Sequence, residues 1–345
     1  MGVNLTPIIL KKILSLDDLR GKSLAVDANN YLYQFLALIR TRDGTPLKDK
    51  NGNVTSHLSG LLFRSTRLIQ DFGIKLIFVF DGEPPKQKQE EIAKRRQQRE
   101  KATIEWQKAL ETGDYATAWS KAVMTSRLTR PLIEDAKHLL SLLGIPNFQA
   151  PSEAEAQTAH MAKKGDVWAA SSKDYDSLLF GAPRLLRYLT IYGREFYPSK
   201  GTSKPLKPEL IELQKLLSHH NVTQNQLVDI ALLVGTDFNK GIRGIGPKTA
   251  LKLIKAHGTI ENLPNNLVRN LPSNYKEIRE IFLHPPITDN YPLEYGKLQE
   301  EALYRFLCEE RDFSKNRVKT VVDRMKKFYA QKRQADLEKW FVSKQ

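Results

Sequence analysis

Ser23-Leu24-Ala25-Val26-Asp27 is a short apolar run that ends on a carboxylate, and Leu76-Ile77-Phe78-Val79-Phe80-Asp81 repeats the pattern. Both read as parallel strands buried on two faces, being continuously apolar and too short for buried helices. Between them, Tyr31 to Arg40 and His57 to Ile69 carry apolar residues at helical spacing, which makes the rhythm βαβ. A third run, Val167-Trp168-Ala169-Ala170, precedes Asp174 and Asp176. In an open α/β sheet such strand ends form the active-site crevice. Carboxylates gathered there raise each other's pKa unless a cation compensates, so the cluster implies hard divalent metals with oxygen ligands.

The chain of 345 residues is 41% hydrophobic, enough for one large core with a helical annex, and no break in composition divides it. Its net charge of +15 favours a polyanionic partner, since phosphate neutralisation with counterion release rewards Lys and Arg. A basic chain around an acidic hole points to phosphodiester chemistry on nucleic acid. Charge alone does not separate DNA from RNA, and a merely solvated basic face is the rival reading. The single Cys308 excludes an internal disulfide, fits a reducing compartment and reads as core packing beside Leu303, Phe306 and Leu307. Met1-Gly2-Val3-Asn4-Leu5-Thr6 matches a loose myristoylation pattern, and Asn4, Asn53 and Asn221 open N-x-Thr triplets; both are short-pattern noise. No leading stretch has a signal peptide's layout and no apolar run nears about 18 residues, so an intracellular protein without a membrane span is expected.

Thr41 to Thr55, rich in Gly, Asp, Asn and Lys, should be an exposed loop. After Gly82-Glu83-Pro84-Pro85, Lys86, Lys88, Lys94, Arg95, Arg96, Arg99 and Lys101 crowd among Gln and Glu. Helical propensity then runs to about Thr129, with a thin apolar stripe of Trp106, Leu110, Tyr115 and Trp119. The segment is a mobile helical insertion over the crevice, since it begins directly after Asp81, or else a solvated basic helix pair. A helix from Pro131 through Leu143, another from Ser152 to before Gly165, and a strand at Leu185 to Leu189 continue the α/β pattern. Beyond Pro208 the chain turns mostly helical, with Thr223 and Gln226 forming a capping box.

Asp174 and Asp176 are two apart, so an extended strand end points both to one side for shared coordination, although ordinary turns also use Asp. Glu153 and Glu155 open a helix whose dipole tolerates anions, and Ser152 with Glu155 matches a capping box that needs no chemistry. Asp237, after Val234-Gly235-Thr236, is by itself a turn residue. Gly241-Ile242-Arg243-Gly244-Ile245-Gly246-Pro247-Lys248-Thr249 looks like a phosphate loop. Pro247 parts the last glycine from Lys248, however, and the segment follows a helix, which disfavours a nucleotide P-loop. A glycine hairpin leading into a helix can instead hold a phosphate of the DNA backbone with its N–H groups. Gln334-Ala335-Asp336-Leu337-Glu338-Lys339-Trp340-Phe341 carries apolar anchors that fill a partner's pocket or pack back onto the domain.

Val26-Asp27-Ala28, Thr55-Ser56-His57-Leu58-Ser59-Gly60, Val79-Phe80-Asp81-Gly82-Glu83-Pro84-Pro85, Ala150-Pro151-Ser152-Glu153-Ala154-Glu155-Ala156, Asp174-Tyr175-Asp176 and Gly244-Ile245-Gly246-Pro247-Lys248 stand in one order along nearly the whole chain. In these blocks it resembles the flap endonuclease family of structure-specific 5′ nucleases, its archaeal members most. The resemblance implies a central, mostly parallel α/β sheet flanked by helices, with a helical arch and a helix-two-turn-helix element. It implies one nuclease domain over 1–330: sheet parts in 1–82 and 131–222, the arch in 83–130 and a helical region in 223–330. A flexible tail follows in 331–345.

By the same resemblance the metal-site acids are Asp27, Asp81, Glu153, Glu155, Asp174, Asp176 and Asp237, with Asp81 and Asp174 central to catalysis. Lys88 and Arg95 match arch residues that face the scissile phosphate, with Lys94 beside them on the DNA. Tyr33 matches an aromatic that stacks on a base, Arg40 and Thr55 fall where a one-nucleotide 3′ flap is accepted, and Gly2 lies close to the site. Gly244, Gly246 and Lys248 belong to the duplex grip, which can hold K⁺ through backbone carbonyls. Gln334, Leu337, Trp340 and Phe341 match a box for the sliding clamp of replication, with Trp340 where many members carry Phe.

The implied activity is removal of 5′ flaps, with 5′–3′ exonuclease cutting at nicks and gaps, by a monomer that uses two Mg²⁺ ions and accepts Mn²⁺. Three rivals remain: a sibling nuclease for Holliday junctions or repair bubbles, a clamp-recruiting DNA-binding module that does not cut, and a P-loop ATPase. Cleavage of flap against four-way substrates, cleavage of any substrate with Mg²⁺, and ATP hydrolysis separate them in turn.

Overall fold

The computed structural model describes residues 2–41, 43–189, 193–197 and 202–342; the side chains of 193–197, 202–205 and 335–342 lie outside the description. Strands β1 (Lys12–Ile13), β2 (Ser23–Asp27), β3 (Lys75–Phe80), β4 (Asn147–Gln149), β5 (Ala169–Ser171) and β6 (Arg184–Arg187) lie in the main sheet. Strands β7 (Gly193–Tyr197) and β8 (Thr202–Leu206) pair apart from it, and β9 (Glu209–Glu212) returns to complete it in the order β1-β9-β6-β5-β2-β3-β4. The pairs β5–β2, β2–β3, β3–β4 and β5–β6 are parallel, whereas β9 runs antiparallel to both β6 and β1. Five neighbouring strands, β6-β5-β2-β3-β4, therefore aim their carboxyl ends at one edge. The chain moves from β2 outward to β3 and later returns to β5 on the other side, so β2 and β5 flank a topological switch point.

Helix α1 (Ala28–Leu38) starts where β2 stops, and α2 (Ser56–Gly60), a π-helical turn to Ser65 and α3 (Thr66–Phe72) make one rod leading to β3. The basic insertion is a helical hairpin of α4 (Gln89–Glu111) and α5 (Tyr115–Met124). Then α6 (Arg130–Leu142), α7 (Ala154–Lys164), α8 (Asp176–Leu179) and α9 (Leu213–His220) alternate with the strands. Next, α10 (Gln224–Val234) leads through the small hairpin β10 (Gly235–Thr236) and β11 (Asn239–Lys240) to α11 (Pro247–His257). Helices α12 (Asn265–Val268), α13 (Tyr275–Leu283), α14 (Glu300–Tyr304) and α15 (Lys315–Val342) follow.

Strand alternation sorts the core into two layers. Leu24, Val26, Leu76, Phe78 and Phe80 face α1, α6 and the valines of α15, while Ala25, Ile77 and Val79 face Ala154 and Met161 of α7. A third cluster joins Ala170, Leu185 and Ile211 to α8, α10, α11 and α13, which fastens the C-terminal helices to the sheet. Each fully buried Leu, Ile or Phe contributes about 1.5–3 kcal/mol. The central strands are thus anchored strongly enough to end on acids that repel each other.

The expected βαβ rhythm and capping box are present, the latter with both Thr223 and Gln226 bonds formed. Strands β1, β4 and β9 escape a reading by apolar runs, because β1 and β4 have two and three residues and Lys12, Asn147, Gln149 and Glu209 are polar. The strand expected at Leu185 to Leu189 is Arg184–Arg187, with Leu189 buried beyond its end. In the arch the buried seam is Ala102, Ala109, Ala118 and Ala122 rather than the expected large stripe, and Tyr115 is 64% exposed. The stretch expected as a flexible tail from 331 continues the α15 helix to Val342.

Candidate metal and nucleic-acid site

Strand ends place the acids. Asp27 closes β2 and also caps α1, accepting from the Asn30 N–H at 3.0 Å. Asp81, directly after β3, accepts from the Ala154 N–H and from Asn29 Nδ2, both at 2.8 Å. Glu153 and Glu155 follow β4 at the start of α7. Ser152 donates to the Glu83 carbonyl at 3.1 Å, and Glu155 accepts from Ser172 Oγ at 2.8 Å, so the capping box those residues could form is absent. Asp174 and Asp176 come after β5 in a turn, with Asp176 opening α8, and not on the extended strand end that their spacing suggests. Asn30 Nδ2 donates to Asp174 at 3.0 Å, and the Val3 N–H donates to Asp176 at 2.9 Å. Asp237 sits in the two-residue turn between β10 and β11.

The seven carboxylates act on one another. Burial, then the charges of Asp81 and Asp174, raise Asp27 well above the carboxylate range. Glu155 is raised likewise by burial and by Asp176, Asp27 and Asp174. Burial with Asp237 and Asp174 pushes Asp176 up to about 7. Burial raises Glu153 too, although Lys88 works against the rise. These couplings bring all seven sequence-identified acids into one negative cup.

Two cations from the root of the arch reach into it. Lys88 Nζ pairs with Glu153 and stands 3.7 Å from Asp237, while Arg95 donates to Asp237 at 2.6 Å and to Glu91 at 3.0 Å. Burial depresses the Lys88 ammonium, but Glu153, Asp81 and Asp237 outweigh it and hold its pKa above the usual lysine value. Lys240 pairs with Glu90, a further tie between the β10–β11 hairpin and the arch. As these side chains stand, no group of three is arranged to hold an ion among the described residues, and Lys88 and Arg95 are paired with Glu153 and Asp237. The donor chemistry nevertheless suits hard divalent cations: all oxygen, excess negative charge, and four acids held above their usual range by burial and mutual repulsion.

The expected nucleic-acid contacts divide. Tyr33 is 36% exposed, and Lys94, Gly244, Gly246 and Lys248 lie at the surface. A Cβ placed on Gly244 or Gly246 would meet nothing within 4 Å, so the protein's own packing leaves the outer side of that loop open to an external group. Thr55 is buried, and its backbone joins the 41–55 loop to α2 by accepting from Ser59 and donating to Leu47. Arg40 donates to the Leu36 and Gly44 carbonyls and to Ser126 Oγ, so it binds α1, the loop and the end of the arch together; burial lowers its pKa to about 10. Gly2 lies beside the acids, as expected. Gln334 is exposed on α15, and the side chains of Leu337, Trp340 and Phe341 lie outside the described residues.

Sequence reasoning missed the neutral groups that orient the acids: Asn29, Asn30, Ser172 and the Val3 N–H. The only signal was the polar pair Asn29-Asn30 opening a helix directly after Asp27.

Known proteins match along the whole chain. The XPG N-terminal domain matches residues 1–102 and the XPG I-region matches 144–237. Flap endonuclease 1 of Pyrococcus abyssi is 48% identical over 345 residues, covering 100% of this chain and 99% of its own. The protein of that name from Methanosarcina barkeri is 46% identical over 344 residues, covering 99% and 100%. The solved structure of flap endonuclease-1 from Methanococcus jannaschii is similar at a TM-score of 0.77 and 42% identity, over 96% of this chain and 100% of that one. The catalytic core of Rad2 in complex with DNA substrate reaches a TM-score of 0.68 at 22% identity over 93% and 97%, a likeness of fold alone.

Proposed function

Since the chain belongs to the flap endonuclease family, it is a structure-specific nuclease of 5′ flaps, a hydrolase of DNA replication and repair, and we propose that it works by two-metal-ion hydrolysis in the acid cup. The reading is carried by one observation: seven carboxylates from four adjacent strand ends and a hairpin share a cup that the arch residues Lys88 and Arg95 enter.

Asp27, Asp81, Glu153, Glu155, Asp174, Asp176 and Asp237 would hold two Mg²⁺ ions, directly or through water, with Mn²⁺ as a substitute. When bound, such a pair supplies the charge that lowers the pKa of an attacking water and neutralises the leaving oxygen. Asp81 is fixed for this by two donors, one a backbone N–H of α7. Lys88 and Arg95 exchange their carboxylates for the scissile phosphate and stabilise charge that grows in the transition state. Tyr33, at the exposed edge of α1, offers a face on which an unpaired base stacks. Gly244, Gly246 and Lys248 grip the duplex backbone, so affinity falls with salt and ignores base sequence. The grip can hold K⁺ at backbone carbonyls. The protein acts as a monomer, also cuts 5′–3′ at nicks and gaps, and docks on the sliding clamp through Gln334, Leu337, Trp340 and Phe341.

The decisive experiment is a labelled double-flap substrate with Mg²⁺ and a mapped product. Cleavage at the base of the 5′ flap that stops in EDTA is the expected result; an intact substrate, or preferred cutting of a four-way junction, overturns the reading.

A further inference from the structure

Asn30 touches two of the acids from neighbouring strands. Its backbone N–H donates to Asp27, the end of β2, and its side-chain Nδ2 donates to Asp174, which follows β5. The orientation of the amide is fixed from the other side, where Oδ1 accepts from Gln34 Nε2 at 2.5 Å and from the Lys173 N–H at 3.2 Å. The Asp174 carboxylate can only accept and the Lys173 N–H can only donate, so these two partners fix which end of the amide is oxygen and which nitrogen, and Gln34 Nε2 donates to the oxygen so placed. Asn30 therefore spans the switch point between β2 and β5, with its backbone N–H on Asp27 and its side chain on Asp174, where the two carboxylates repel each other. Neutral donors are suited to this position, since a cation would compete with bound metal and an apolar group would leave Asp174 free to turn.

We propose that Asn30 is the positioning residue of the site: it holds Asp27 and Asp174 in one orientation across the switch point so that divalent ions meet a preset pair of oxygens. Gln34, one helical turn on, locks it in place. This rests on the two-metal reading above. Neighbours that orient metal ligands typically account for 10–100-fold in metal affinity or activity, and that is the effect expected here.

The test uses the full chain and Mn²⁺ as a spectroscopic probe. Parent, Asn30→Ala, Asn30→Asp and Gln34→Met proteins are compared for Mn²⁺ affinity by electron paramagnetic resonance, for flap-DNA affinity in EDTA, and for single-turnover cleavage. Asn30→Ala should weaken Mn²⁺ binding and slow cleavage by about 10–100-fold while DNA affinity in EDTA is kept. Asn30→Asp, isosteric but unable to donate, should be at least as impaired, and Gln34→Met should lose several-fold in the same two readouts. Equal Mn²⁺ affinity in parent and variants overturns the proposal, as does a loss that appears equally in DNA binding. If Asn30→Ala fails to fold, Gln34→Met decides. A parent that binds no Mn²⁺ refutes the metal reading itself, which is a different result.

Discussion

Arg95 of the arch donates to Asp237 of the β10–β11 hairpin at 2.6 Å, which ties an element that covers the crevice to an element that carries one of its acids. Lys88 repeats the arrangement with Glu153. The two cations thereby moderate the repulsion in the cup.

Replacing Lys88 or Arg95 by Ala should lower the single-turnover cleavage rate by about a hundredfold or more, the typical cost of one transition-state donor. Flap binding measured in EDTA should change little if, as proposed, the duplex is gripped at Gly244, Gly246 and Lys248. Rates that match the parent would remove both residues from the chemistry.

Asp27→Asn and Asp174→Ala should abolish most activity with Mg²⁺. In EDTA, Asp27→Asn should melt higher than the parent, because a buried group whose charged form is opposed by burial and by Asp81 becomes neutral. Thermal melts with and without Mg²⁺ check this, and the Mg²⁺-induced gain should be smaller in the variant.

Stability in EDTA should fall as pH rises from about 6.5 to 8. Asp176 titrates near 7 in the fold but near the ordinary aspartate value when unfolded, so over this window the folded state binds more protons and loses stability as they leave. Below about 6.5 the buried His57, depressed to about 4, opposes the trend, because the unfolded chain takes up its proton first. Melting temperatures across pH 5.5–8.5 should show the decline through neutrality and a plateau by about pH 8, and Mg²⁺ should flatten it.

Lys248→Ala should weaken binding of duplexes of any sequence alike and reduce the slope of log affinity against log salt by about 0.9, the share of one phosphate contact. Gly246→Ala should weaken binding without changing the melting point, because its backbone is extended and an added methyl meets no protein atom. Filter binding over a salt series tests both.

Substituting Trp340 and Phe341 together by Ala should abolish capture by immobilised sliding clamp and leave clamp-free cleavage of the flap unchanged. Persistent capture would place the docking surface elsewhere.

The strands that position Asp27 and Asp81 were legible because a strand buried on both faces must be written almost entirely in apolar residues. Strand β4 was not: Asn147-Phe148-Gln149 sits at the edge of the sheet, half-solvated, where nothing requires hydrophobicity. The acids were legible as a set through the family resemblance, whereas spacing alone misjudged the Asp174–Asp176 turn and offered Glu155 an idle role as a cap. Arg40 and Thr55 illustrate a different limit. A basic or polar residue in a loop looks free in one dimension, yet Arg40 donates to three protein acceptors and Thr55 is buried, with its backbone bonded to Leu47 and Ser59. The alanine seam of the arch left no periodic signal because Ala is at home in any exposed helix as well.

The Val3 N–H is bonded to Asp176, and a methyl group on residue 2 would come within 2.5 Å of that carboxylate. Residue 2 therefore has no room for a side chain while Asp176 keeps its place, and a Gly2→Ala enzyme would shift that carboxylate and cut slowly though every acid is intact.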